Sequence, residues 1–140
     1  MTSTHAESRR RAEAFYARDR TCQALCIQLA TVAPGRASMH MDVTEAMVNG
    51  HGIAHGGYLF LLADAAFAYA SNTSGRAVAQ SAHITFLRPA AVGERLVAEA
   101  AERTRVGRTG IYDVTIRQSN GAIVAEFRGQ SMLLASEQSP

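Results

Sequence analysis

The hydrophobic and polar positions of this chain fall into a few distinct periods, and each predicts an element. Residues from about Thr4 to Arg20 are rich in Ala, Glu and Arg, the composition of a helix, with Ser3 or Thr4 as its cap. A short apolar stretch over 25–32 follows, then the turn signal Pro34-Gly35. In ASMHMDV (37–43), Ala37, Met39, Met41 and Val43 face one way while Ser38, His40 and Asp42 face the other, the period of a half-buried strand. A strand-like run covers 77–88 and ends at Arg88-Pro89. Beyond the Gly93 turn, Leu96, Ala98 and Ala100 alternate with Arg95, Val97 and Glu99. A break at Gly107 leads into 109–118, where Tyr112, Val114 and Ile116 share a face. Asn120-Gly121 is a hairpin signal, and the final run sets Ile123, Ala125, Phe127 and Leu133 against Glu126, Arg128 and Gln130. These are predicted to be antiparallel strands joined by short turns.

One segment between the strand sets differs in kind. Residues 57–71 read GYLFLLADAAFAYAS, apolar on nearly every side, which is the mark of a buried helix. At about fifteen residues it is shorter than a membrane span. The reading is therefore α+β: an antiparallel sheet around a long buried central helix, preceded by an N-terminal helix. The 140 residues suit one domain, with a helical segment over about 1–25 and a tail over about 135–140.

Composition narrows the function classes. Hydrophobic residues at 47% and charged residues at 19% are ordinary for a globular protein, and a net charge of +2 gives no reason to expect nucleic acid. All fourteen basic residues are Arg, clustered only at Arg9, Arg10 and Arg11, which suits a solvated helix face. Scattered arginines also suit bidentate contact with phosphate. Cys22 and Cys26 lack a second pair and read as small hydrophobes. The polar, arginine-rich N-terminus STHAESRRRAEAF does not resemble a signal peptide, so a cytoplasmic protein without membrane partners is expected.

Between Glu45 and Glu94 the charged residues are Asp64, Arg76 and Arg88, and Asp64 sits in the middle of the apolar helix. Asp is a poor interior helix former, and burying an unpaired carboxylate costs several kcal/mol or raises its pKa from about 3.9. Such a residue either accepts hydrogen bonds from a neighbouring strand or subunit, or does chemistry. The preceding loop NGHGIAHGG (49–57) places Gly56 and Gly57 at the expected helix start, where free N–H groups and the positive dipole end can hold an anion. Asp64 follows Gly56 by eight residues, roughly 12 Å along a helix at 1.5 Å per residue. One chain cannot easily bring both groups to one small reacting centre. If the two cooperate, they come from different subunits, which points to a dimer.

The run NGHGIAHGGYLFLLADAAFAYASNTSG, with FLRPA and GRTGIYDV downstream, resembles the phenylacetate-degradation thioesterases (PaaI-type) of the hotdog superfamily. The similarity covers nearly the whole chain, including the Tyr16 region and the late EFRGQS strand. The resemblance implies two hotdogs sharing one continuous sheet, usually paired again into a homotetramer, with the active site at the dimer interface. It implies hydrolysis of an aryl-acetyl coenzyme A thioester, of phenylacetyl or hydroxyphenylacetyl type, to free acid and coenzyme A. No cofactor is implied, because coenzyme A is part of the substrate. Asp64 would be the general base or the nucleophile. The Gly56 N–H would polarise the thioester carbonyl from the other subunit, and Asn49 and His55 would orient the loop or the attacking water. Gly57 would belong to the binding loop. Arg108, Thr109 and Gly110 match a segment that contacts the pantetheine or nucleotide, and Arg88 could reach a phosphate or serve a structural ion pair.

One departure from the family stands out. Relatives often carry a water-holding Ser or Thr on the strand after the helix, where this chain has Ala79 and Gln80, leaving Ser81 as the candidate. His51 and His55 lack the Cys or carboxylate neighbours of a zinc site, so no metal is expected. His51 suits the capping of the loop, and His40 and His83 read as structural. Leu61, Phe67, Phe60 and Phe86 are the candidates for setting pocket size. The alternatives are a hotdog hydratase or dehydratase, and a non-catalytic acyl-CoA-binding sensor. The first needs a second acid or a His beside Asp64, and the second has no use for an acid against its ligand.

Overall fold

In the computed structural model, which describes residues 4–135, Thr4 caps helix α1 (His5–Arg18). Its hydroxyl accepts from Glu7 N–H while Glu7 reaches back to the Thr4 N–H, a reciprocal capping box. The other cap candidate, Ser3, and the tail beyond 135 lie outside the described residues. The predicted helix over 4–20 is broken at Asp19, whose carboxylate caps a second short helix α2 (Arg20–Ala24) by accepting from Cys22 N–H at 3.1 Å. Cys22 is buried as expected, but Cys26 is exposed in a left-handed turn (φ 56°).

Six strands follow: β1 (Gln28–Ala33), β2 (Arg36–Asp42), β3 (Ala77–Phe86), β4 (Arg95–Val106), β5 (Thr109–Arg117) and β6 (Ile123–Leu133). They form one antiparallel sheet in the order β1-β2-β4-β5-β6-β3. The central helix α3 (Gly56–Ser71) lies between β2 and β3 in the chain and packs on β2, β4 and β5 at the middle of the sheet. This is the helix-on-sheet hotdog arrangement that the sequence predicts.

The periods read from sequence explain what faces α3. Met39, Met41, Leu96, Ala98, Tyr112, Val114 and Ile116 are wholly buried against it, each large apolar side chain contributing on the order of 1.5–3 kcal/mol. Ala63, Ala66 and Ala70 let the helix lie close to the strands. Gly129 on β6 makes room for Phe67, since a Cβ there would stand 2.7 Å from the Phe67 ring. The outer face of the sheet is polar, with Arg95 paired to Asp42 and Arg128 to Asp113, each at 2.7 Å. Such exposed pairs contribute about 0–1 kcal/mol each.

The two edges of the sheet differ. β1 is covered by α1. β3 has no outer neighbour among the described residues, and its ten residues AVAQSAHITF carry no charge. A long uncharged edge without Pro or Lys lacks the usual protection against pairing with another chain.

Candidate active site

The loop before α3 is held on several sides. Val48 bridges Ala54, and Ile53 bridges Ala91. Ala54 N–H donates to Ala90 C=O and His55 N–H to Met47 C=O, each at 2.8 Å. Within the loop, Asn49 Oδ1 accepts from His51 N–H at 2.8 Å and from Ile53 N–H at 3.4 Å. Asn49 therefore spends its carbonyl oxygen on shaping the loop. This fixes the entry to α3 before any ligand arrives.

Gly56 is the first helical residue, and His55 precedes it with φ −57° and ψ 138° and makes no side-chain cap. The N–H groups of Gly56 and Gly57 have no backbone or side-chain acceptor among the described residues. They stand at the positive end of α3 as open donors. The two glycines are there for different reasons. A Cβ on Gly56 would stand 2.8 Å from Phe86 Cζ and 3.2 Å from both Cε atoms, whereas one on Gly57 meets nothing within 4 Å. A side chain at position 56 would have to push the half-exposed Phe86 ring aside. That contact joins residues thirty apart, and the sequence carries no signal for it.

Along α3, Gly57, Leu61, Asp64 and Ala68 recur at helical spacing, and none of them is fully buried, unlike the residues on the sheet-facing side. Asp64 is the charge in that stripe. Its carboxyl pKa is raised, and burial is the cause; no hydrogen bond or opposite charge among the described residues offsets it. Asp19 shows the contrast, because it accepts from Tyr69 OH at 3.1 Å and from Cys22 N–H. Burial, with help from Asp19 and the nearby Asp64, pushes the Cys22 thiol up to about 12. Cys22 is thus a neutral neighbour of the carboxylate.

The other predicted residues fall into two groups at opposite ends of α3. Phe86 and Arg88 sit at the Gly56 end, where Arg88 Nη1 donates to Ile123 C=O at 2.7 Å rather than forming the structural ion pair. Arg108, Thr109 and Gly110 open β5, and Gly110 lies in register with Ser131, which pairs with Ala79 near the start of β3. From Ala79 to Phe86 is roughly 20 Å of extended strand. One chain therefore keeps Arg108–Gly110 away from Gly56.

Ser81 takes an unexpected side. Counting by twos from Ala77 puts it on the inner face, but a bulge between Ala79 and Ser81 shifts the register. Ser81 then pairs with Gln130, and Gln80 accepts from Gln130 Nε2 at 3.1 Å. Directly opposed residues share a face, so Ser81 points away from α3, while Ala79 shares the inner face with buried Ser131. Among the pocket candidates, Phe67 is packed against Tyr112 and Phe127 and is 1% exposed, which removes it from any lining. Phe60 leans on Phe127 at 5.5 Å, and Leu61 and Phe86 keep open surface.

Two surface clefts of about 700 and 660 Å³ open at the far end of α3, lined among others by Arg11, Phe15, Arg18 and Arg76 and by Pro34, Thr73 and Arg105. Neither includes Asp64 or Gly56. No group of three or more His, Cys, Asp or Glu gathers among the described residues. No described helix is long and apolar enough to cross a membrane.

Comparison with known proteins agrees with this architecture. A profile of the thioesterase superfamily matches residues 51–125, which run from within the loop through α3, β3, β4 and β5 to the start of β6. The acyl-coenzyme A thioesterase PaaI of Escherichia coli (strain K12) is 46% identical over 121 residues, 86% of each chain. A putative esterase of Deinococcus radiodurans is 43% identical over 109 residues, 76% of this chain and 74% of that one. The solved structure of the E. coli PaaI protein from the phenylacetic acid degradation operon superposes with a TM-score of 0.94 at 41% identity, covering 96% of this chain and 99% of that one. The chain belongs to the thioesterase superfamily, as a PaaI-type thioester hydrolase of hotdog fold.

Proposed function

We propose that this protein hydrolyses aryl-acetyl coenzyme A thioesters in a site shared by two copies of the chain. The observation that carries the reading is Asp64: half-buried, raised in pKa and without a partner among the described residues. A carboxylate held in that state is a stronger base than one in water. It takes a proton from water as the water oxygen attacks the thioester carbonyl carbon. The carbonyl becomes an oxyanion held by the Gly56 N–H, and its collapse expels the coenzyme A thiolate. The thiolate is a good leaving group and calls for no strong general acid. No cofactor or metal enters the reaction.

The open edge strand supports a dimer. A two-fold axis through β3 pairs it antiparallel with its counterpart, so the start of one strand lies beside the end of the other. Residues that one chain keeps roughly 20 Å apart are thereby brought together. Gly56, Gly57, His55 and Asn49 of one copy meet Asp64 and the Arg108–Gly110 hairpin of the other. In this reading, Arg108 and Arg88 serve the phosphates, Thr109 and Gly110 the pantetheine arm, and His55 the loop. Ser81, on the outer face, holds no water in the proposed site. Two such dimers joined into a tetramer would complete the assembly, in the cytoplasm.

The name of the E. coli relative supports acyl-coenzyme A, and the operon of its solved structure supports the aryl-acetyl group. The test is thiol release from phenylacetyl-, medium-chain and acetyl-coenzyme A by the purified chain and by Asp64→Asn. The reading expects turnover of the aryl-acetyl thioester and a loss of about 10²–10⁴-fold in the variant, with substrate still bound. Equal turnover by Asp64→Asn would remove the mechanism. Binding without turnover by the unaltered chain would favour the sensor.

A further inference from the structure

The Phe86 ring is not explained by the reaction drawn above. It is the last residue of β3 and pairs with buried Ala125, so its side chain points to the inner face. Yet it is 50% exposed, because β3 is the edge strand and no neighbour covers it. Its contact with Gly56 is end-on: Cζ is the nearest atom and both Cε atoms are equally far. A ring held by its tip keeps its faces available. Any Cβ at Gly56 would displace the ring from this seat, so the loop and the strand end are fitted to one another.

We infer that Phe86 is the aryl-recognition residue of the site, an aromatic wall beside the Gly56 N–H that selects thioesters carrying an aromatic ring. This rests on the proposed oxyanion role of Gly56. In an aryl-acetyl thioester, one methylene separates the ring from the carbonyl carbon. With the carbonyl oxygen on the Gly56 N–H, that short tether leaves the substrate ring in reach of Phe86. Aromatic pairs favour offset or edge-to-face contact at about 4.5–7 Å between centroids, which an end-anchored ring can offer. An acetyl group in the same place has no ring to set against Phe86. Leu61 of the other copy, one turn before Asp64, would close the opposite side, so the acyl pocket, like the catalytic pair, is assembled from two chains. Phe60 and Phe67 are held by the core and take no part.

The experiment measures preference, and does so twice. First, kcat/KM for phenylacetyl-coenzyme A is divided by that for acetyl-coenzyme A in the unaltered enzyme, Phe86→Leu and Phe86→Tyr. Second, the affinities for the same two thioesters are compared without turnover in Asp64→Asn and in Asp64→Asn with Phe86→Leu. The inference expects Phe86→Leu to collapse both preferences by about tenfold or more and Phe86→Tyr to retain them. A role confined to packing on Gly56 would lower both substrates together and leave the ratio unchanged, and that result overturns it. So does the absence of an aryl preference both in kcat/KM of the unaltered enzyme and in the affinities of Asp64→Asn. A chain that turns over neither thioester, but binds the aryl one better only while Phe86 is present, would keep this inference and discard the hydrolytic reading.

Discussion

β5 and β3 are of similar length, 9 and 10 residues, and lie in the same sheet, with β6 between them. β5 is finished by its own chain. Tyr112, Val114 and Ile116 are wholly buried, strands flank it on both sides, and Asp113 on its outer face is paired with Arg128. β3 has Val78 at 49% and Phe86 at 50% exposure and one edge without a neighbour. The same division runs through the helix between them. Phe67 is locked beneath Gly129, while Asp64 has no hydrogen-bond or ion-pair partner among the described residues. The regions that make the structure are complete in one chain, and those proposed to make the chemistry are not.

The sharpest way to separate the two regions is at Asp64, where activity and stability should move in opposite directions. Beyond the loss of turnover, Asp64→Asn should melt at a higher temperature than the unaltered protein at pH 7. The folded chain raises the Asp64 pKa, so it binds more protons than the unfolded chain between the two values, and stability falls as pH rises through the raised one. At neutral pH the ionised carboxylate is a cost that Asn lifts. The melting difference should close below about pH 3.9, where both states are protonated. In the active enzyme the acid limb of kcat/KM should stand above that same value, because the base must be ionised. Asp64→Asn melting lower than the unaltered protein at pH 7 would mean that the carboxylate has a stabilising partner.

The finished region should show the reverse signature. Gly129→Ala drives a methyl against the Phe67 ring and should cost about 1–3 kcal/mol in denaturant unfolding. Turnover per folded molecule should hardly change. The smallest effect distinguishes the two glycines at the helix start. Gly57→Ala, with open space around it, should be neutral or stabilising by up to about 1 kcal/mol, while Gly56→Ala must displace Phe86. Equal melting temperatures for the two would show that the Phe86 contact carries no weight.

How far the sequence could be read follows the same line. β2 and β5 were legible because each alternates against a single buried face, and α3 because it is apolar all round. Asp64 was legible because an acid in such a helix has few explanations. β1 was visible only as a short apolar stretch, since most of its residues are exposed or half-exposed at the edge beneath α1. The break between α1 and α2 at Asp19 was hidden in a continuous helical composition. The face that Ser81 takes is not legible, because the bulge at Gln80 adds one residue and turns the strand's side chains to the other face. The seating of Phe86 on Gly56 is a contact across thirty residues and leaves no trace in local pattern. The glycine pair announced a close approach but not what approaches.

The central claim, that Asp64 and Gly56 act together only across two chains, has a direct test in mixed dimers. Gly56→Pro removes the N–H at the first helical position, where proline is tolerated, and the extended backbone of His55 suits a following proline. Asp64→Asn and Gly56→Pro chains should each be inactive alone. Co-expressed under separate tags, they form heterodimers in which one site has Asp64 from one chain and Gly56 from the other, both intact. A random mixture should recover about a quarter of the unaltered activity, all of it in the doubly tagged fraction. No recovery from heterodimers that form and fold would place both groups in one chain and contradict the account.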